Sequence, residues 1–197
     1  MSSVFLTYSK LGFHHIFNLG AYDHMLFLLA LCSIYTLNDW RKVLALVTSF
    51  TVGHSITLAL STFNIIQFDT NLIEFLIPVT ILITCITNFF KLKGAASKQR
   101  TVLSVHNAMA IMFGLIHGMG FSNYLKSLLG HGSDTWLQLL AFNAGIELGQ
   151  LLIVLILLVS AFLIMNLFNA KKRDWIMVLS SAAAGISLIM IIDTNIF

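Results

Sequence analysis

The sequence predicts an all-α, polytopic integral membrane protein: a bundle of about six transmembrane helices with both termini outside the cytoplasm. Three observations predict it. Of 197 residues, 58% are hydrophobic and 10% charged, against roughly 25% charged in soluble domains. The apolar residues come in runs near 20, the length that crosses a bilayer as a helix. The basic residues collect in alternate short loops between those runs. Lipid cannot satisfy free backbone groups and no barrel-type alternation occurs, so each run must be helical.

Six segments qualify, taken in order. They run from about Ala21 to Leu37, Val43 to Phe63, Leu72 to Phe90, Val102 to Phe121, Leu137 to Phe168 and Trp175 to Ile192. The loop after the first holds Arg41 and Lys42; that after the third holds Lys91, Lys93, Lys98 and Arg100; that after the fifth holds Lys171, Lys172 and Arg173. Nine of the eleven basic residues therefore share one side, which the positive-inside rule makes cytoplasmic. Trp40, Trp136 and Trp175 fall at span ends, where an aromatic belt sits. A pI near 9.0 could suggest nucleic acid, but these charges belong to loops beside a membrane and no nucleic-acid partner is expected.

No polar stretch is long enough to form a second domain, so residues 1–197 read as one transmembrane domain. Residues 1–20 are expected to lie as an interfacial segment on the outer surface, through Phe5, Leu6, Leu11, Phe13, Ile16 and Phe17, followed by the six-helix bundle at 21–193. Residues 130–135 are an expected outer loop. Cys32 and Cys85 sit inside apolar runs without CxxC spacing and read as buried thiols.

The apolar runs carry side chains that a bilayer resists. An ionisable group at mid-membrane costs about 2.5–3.5 kcal/mol on insertion scales. The sequence accepts this at Asp23, His24, His54, Glu74, His106, His117 and Glu147. With the orientation above, five helices bring such groups into the outer half of the bilayer, and only His106 belongs to the inner half. Asn143, Glu147 and Gln150 follow i, i+4, i+7 and share a face of the fifth span. Ser55 accompanies His54. Pro78, four residues after Glu74, leaves the Glu74 carbonyl without its helical donor. Gly114 with Gly118 and Gly145 with Gly149 are small-xxx-small pairs that let helices approach closely. Imidazole plus carboxylate without thiolate suits Ni, Co, Zn or Fe(II). The candidate ligands are Asp23, His24, His54, His117, Glu74 and Glu147, with Ser55, His106, Asn143 and Gln150 as a relay or supporting set.

These residues stand in recognisable blocks. His15-Ile-Phe-Asn-Leu-Gly-Ala-Tyr-Asp23-His24, Phe50-Thr51-Val-Gly53-His54-Ser55-Ile-Thr57, Glu74-Phe-Leu-Ile-Pro78-Val-Thr80, Phe113-Gly114-Leu-Ile-His117-Gly118-Met-Gly120-Phe121 and Phe142-Asn143-Ala-Gly145-Ile-Glu147-Leu-Gly149-Gln150 follow one another along the chain. In that order they resemble the span signatures of the HupE/UreJ family. The resemblance implies a multi-pass protein of the bacterial inner membrane and a nickel or cobalt permease, and it adds His15 to the metal-site candidates. The spacing departs at that residue: the family places its first His six residues before the Asp, whereas His15 stands eight before Asp23. A non-helical connection is then needed to bring it near.

Two functions of different classes fit these residues. In one, a permease captures a divalent cation, Ni or Co as cargo, at the outer site and passes it inward by way of His106. In the other, an intramembrane hydrolase holds Zn²⁺ on three histidines and Asp23, with Glu147 or Glu74 as general base and a lipid or membrane-embedded substrate. A metal-sensing or accessory subunit is a third reading. The expected partners are the bilayer and a metal ion, and a homo-oligomer is compatible with the sequence.

Overall fold

The computed structural model describes residues 2–18, 20, 22–93, 105–128 and 135–194. Lys98, Arg100, His131 and all of the loop expected at 130–135 except Thr135, which opens α6, lie outside them. Every regular element among the described residues is helical: α1 (Ser2–Ile16), α2 (Asp23–Cys32), a 3₁₀ turn (Leu37–Asp39), α3 (Trp40–Thr62), α4 (Thr70–Lys93), α5 (Val105–Leu128), α6 (Thr135–Leu167) and α7 (Lys172–Asp193).

Four of these elements are long and apolar enough to cross a membrane: α3 with its preceding turn, α4, α6 and α7. They correspond to the second, third, fifth and sixth expected spans. α5 has the length, at 24 residues, but His106, Asn107 and His117 make it more polar than those four. The first expected span differs most. It is the ten-residue α2, about 15 Å long and half a bilayer deep. The chain turns after Cys32, and the next helical element starts at Leu37 from a capping box in which Asp39 accepts hydrogen bonds from the Thr36 backbone N–H at 3.3 Å and the Thr36 hydroxyl at 3.1 Å.

A buried helix end needs partners for its last carbonyls. Asn88 of α4, only 1% exposed, supplies one by donating Nδ2 to the Ala30 carbonyl at 2.8 Å. The same amide nitrogen stands 3.2 Å from Ser33 Oγ and 3.1 Å from Ser180 Oγ, which ties α2, α4 and α7 together.

Residues 2–16, expected at the surface, form a helix packed along α6. A Cβ added at Gly12 would collide with the Phe142 carbonyl, and one at Gly145 with the Ser9 carbonyl. Gly149 faces Ile16 at 3.1 Å. Gly145 also meets Phe13, and from Phe13–Gly145 to Ile16–Gly149 the numbers rise together, so α1 and α6 run parallel, backbone against backbone. α3 and α5 meet in the same way: Gly53 lies on Ile111, Gly114 on Phe50, and Gly118 on His54 and Thr57. These are the close approaches that small-xxx-small spacing permits. α3 and α6 are antiparallel, from Phe63 tilted against Trp136 with ring centroids 4.5 Å apart to Thr51 against Gln150 at 2.9 Å. α2 is antiparallel to α3, since His24 faces His54 and Phe27 stacks on Phe50. α1 and α2 thus run the same way, with a break between Ile16, where α1 ends, and Asp23, where α2 begins.

Candidate metal centre

The break brings the end of α1 onto the start of α2. Phe17 N donates to the His14 carbonyl and Asn18 N to the His15 carbonyl, each at 3.2 Å, tightening the last turn of α1. The His15 ring then stands 4.9 Å from the His24 ring. His24 is the hub, with its ring 5.6 Å from that of His54 on α3 and 5.2 Å from that of His117 on α5. His54 and His117 are completely buried, and His24 and His15 nearly so. His15, eight residues before Asp23, is therefore brought beside His24 by the interval between the end of α1 at Ile16 and the start of α2 at Asp23.

Two of the rings have fixed tautomers. His24 Nδ1 is 3.1 Å from Asp23 Oδ1, and His117 Nδ1 is 2.9 Å from the Phe113 carbonyl. A carbonyl only accepts and an ionised carboxylate only accepts, so Nδ1 carries the proton and Nε2 keeps its lone pair. Metal-ligating histidines are oriented this way, with the far nitrogen donating to a carboxylate or backbone carbonyl. The Nε2 atoms of His15, His24 and His117 and both ring nitrogens of His54 are buried without a hydrogen-bond partner. Each unsatisfied polar atom costs about 1–3 kcal/mol. Five on four neighbouring rings is an arrangement a packed membrane core does not keep without a use.

Rings that share one ion through one nitrogen each stand about 5 Å apart, given metal–nitrogen distances of about 2.0–2.1 Å. The His24 distances, 4.9 to 5.6 Å, fall on that spacing. Even so, among the described residues no group of three or more His, Cys, Asp or Glu side chains is already arranged to hold an ion. The rings have the right separation, but their nitrogens do not yet point to one centre.

Phenylalanines wall the cluster. Phe121 lies 3.7 Å from the His15 ring and stacks on Phe142 at 5.2 Å. Phe50 and Phe27 lie 5.2 and 5.3 Å from the His117 ring. Composition alone gives these phenylalanines no role beyond lipid contact and packing. The available signal was spacing: Phe50–His54, Phe113–His117 and His117–Phe121 are all i, i+4 pairs, which share a helix face.

Other candidates stand apart. Glu74 is on the exposed face of α4. Glu147 accepts a hydrogen bond from the Thr48 hydroxyl at 2.9 Å on the outside of the α3–α6 contact. No hydrogen bond or ion pair links either carboxylate to the four rings among the described residues. His106 is half-buried, eleven residues before His117 on α5. Ser55 donates back to the Thr51 carbonyl at 2.7 Å. Asn143 and Gln150 do line the α3–α6 contact beside His54.

A family model described as HupE / UreJ protein matches residues 1–194, nearly the whole chain. The chain belongs to the HupE/UreJ family. This HupE/UreJ protein is a multi-pass membrane protein, as its four membrane-capable helices also require. No curated protein and no solved structure matches it.

Proposed function

We propose that this HupE/UreJ protein is a transition-metal permease of the bacterial inner membrane, taking a divalent cation of the nickel or cobalt type at the four-histidine cluster. The observation that carries the reading is the set of five unpartnered imidazole nitrogens gathered on His15, His24, His54 and His117. Neutral imidazoles satisfy a borderline cation, and Asp23 offsets part of its charge while holding His24 in the ligating tautomer. The α1 dipole, negative at its C-terminal end, favours a cation beside His15. Half-helix ends at mid-membrane are how many transporters build ion sites.

α1 and α2 run in the same direction and sum to 25 residues, about 37 Å. Together they make one interrupted crossing. With α3 to α7 this gives six crossings, both termini outside, and the cluster in the outer half of the bilayer. The zinc-hydrolase reading needs a carboxylate base beside the rings, and neither Glu74 nor Glu147 stands there.

The test is isothermal titration of the purified, chelator-washed protein with Ni²⁺ and Co²⁺, together with uptake of the same ions into proteoliposomes. Wild type is expected to bind reversibly and to fill the vesicles. His54→Ala and His117→Ala are each expected to lower affinity by at least about tenfold, with the thermal transition retained. Unchanged binding in both variants would sink the site.

A further inference from the structure

Glu147 is the one titratable side chain on α6, and the cluster does not use it. It is half-buried, and its hydrogen bond comes from Thr48 of α3, which is itself exposed. Leu44, Thr48 and Val52 follow i, i+4, i+8 on one face of α3, and Leu140 and Glu147 stand seven apart on one face of α6. Leu44, Val52 and Leu140 are all exposed, so this shared face looks onto lipid.

Two rulers give the depth of the pair. Trp136 marks one surface of the membrane at the start of α6, and Glu147 is eleven residues on, about 16 Å. Trp40 marks the opposite surface at the start of α3, and Thr48 is eight residues on, about 12 Å. Together the two lengths nearly fill the ~30 Å of a bilayer core, so the carboxyl and the hydroxyl meet near mid-depth. Intramembrane acids normally face the bundle interior or pair with a cation. Glu147 does neither among the described residues. The elements packed against α6 carry Tyr8, Lys10, His14 and His15 on α1, Asp23, His24 and Cys32 on α2, Asp39 on the 3₁₀ turn, and Arg41, Lys42 and His54 on α3, and none of these forms an ion pair with it. One bound proton removes the charge without any second molecule. The Thr48 hydroxyl then donates to the carboxyl oxygen that does not carry the proton.

Distance links that proton to the four rings. Thr48 is six residues from His54 on α3, about 9 Å along the helix. Filling the rings with a divalent cation adds two positive charges. At about 10 Å and an effective dielectric constant of about 20, they weaken the hold of Glu147 on a proton by on the order of a hundredfold. Linkage is reciprocal, so an ionised Glu147 strengthens metal binding by the same factor.

We propose that Glu147 is a proton-binding site on the lipid-facing edge of the α3–α6 contact, and that its proton is displaced when a divalent cation enters the four rings. The displacement rests on the metal reading of the cluster and supplies a charge that offsets the cation; the proton site itself does not depend on that reading.

The test uses the full chain in proteoliposomes, Ni²⁺ as the metal, and dicyclohexylcarbodiimide, which enters bilayers, as the probe of the acid form. The carboxyl O–H adds across a C=N bond of the carbodiimide, oxygen to carbon and proton to nitrogen, and the adduct rearranges to an N-acylurea that peptide mass analysis locates. Metal-free wild type at neutral pH is expected to be labelled at Glu147. Saturating Ni²⁺ is expected to slow that labelling at least about tenfold, and Mg²⁺ to leave it unchanged. Calorimetry gives the reciprocal reading: as pH rises, wild-type Ni²⁺ affinity should increase more steeply than that of Glu147→Gln, by about tenfold per pH unit. No labelling at Glu147 in the metal-free protein overturns the proton site. Labelling that appears only after dispersal as a monomer in detergent also overturns it, and gives this face to a second copy of the chain. Labelling that Ni²⁺ leaves unchanged, or equal pH slopes in the two proteins, overturns the displacement. A wild type that binds no Ni²⁺ overturns the metal centre and the displacement together, while labelling still decides the proton site. If Glu147→Gln does not fold, the effect of Ni²⁺ on wild-type labelling decides.

Discussion

At the level of single residues, the cluster works through what each side chain leaves unbonded. Asp23 is the clearest case. It touches the His24 Nδ1 side at 3.1 Å and so keeps Nε2 available. Asp23→Asn removes the charge and weakens the hold on that tautomer. It is expected to lower metal affinity about 10- to 100-fold, the usual effect of losing a ligand's carboxylate partner, which titration calorimetry checks directly. Glu74→Gln gives the contrasting expectation. That carboxylate is exposed on α4 with no bond to the rings, so calorimetry should give the wild-type affinity; a tenfold loss would place Glu74 in the site after all. The types and motif positions of the histidines were legible in the sequence because a bilayer penalises ionisable groups that have no purpose. Which carboxylate joins them was not. Asp23, Glu74 and Glu147 look alike as intramembrane acids, and only helix rotation separates the one beside His24 from the two that face outward.

At the level of helices, glycine decides who packs on whom. Gly12 and Gly145 bring α1 and α6 together at backbone contact, and Gly53 and Gly114 do the same for α3 and α5. Gly145→Val would drive a side chain into the Ser9 carbonyl and push α1, with His15 at its end, off the bundle. Overpacking of this kind costs about 1–3 kcal/mol, and a lower thermal midpoint in detergent is the expected readout. Gly185→Ala is the control, because nothing lies within 4 Å of the added Cβ; its midpoint should not fall. Small-xxx-small spacing announced the close approaches of Gly114, Gly118, Gly145 and Gly149. It could not announce Gly12, whose neighbours in sequence read as an interfacial helix. Nor could hydropathy announce that Ala21 to Leu37 stops being helical at Cys32. Apolar content measures burial in lipid, while the stop comes from the Thr36–Asp39 cap and the Asn88 bond to Ala30.

For the whole molecule, the question is how many times the chain crosses and where the cluster then sits. Four helices qualify as spans by length and composition; α5 is long enough to add a fifth. The sixth crossing depends on reading α1 and α2 as halves of one interrupted helix, with the break at the depth of the four rings. Broken backbone survives inside a bilayer only where protein encloses it, and here His15 and His24 on either side of the break are almost wholly buried. The reading predicts opposite exposure for two positions that a surface-lying α1 followed by a half-depth α2 would leave on one side. Ser3→Cys should react with an impermeant maleimide added outside intact cells. Asn38→Cys, just before α3, should react only after the membrane is opened. The native thiols do not confuse the result, since Cys32 is 2% exposed and Cys85 is fully buried. Labelling of both positions from the same side would mean that α1 and α2 do not together make a crossing. The chain would then cross five times, its ends would lie on opposite sides, and the cluster would no longer be fixed in the outer half by the charge of the loops.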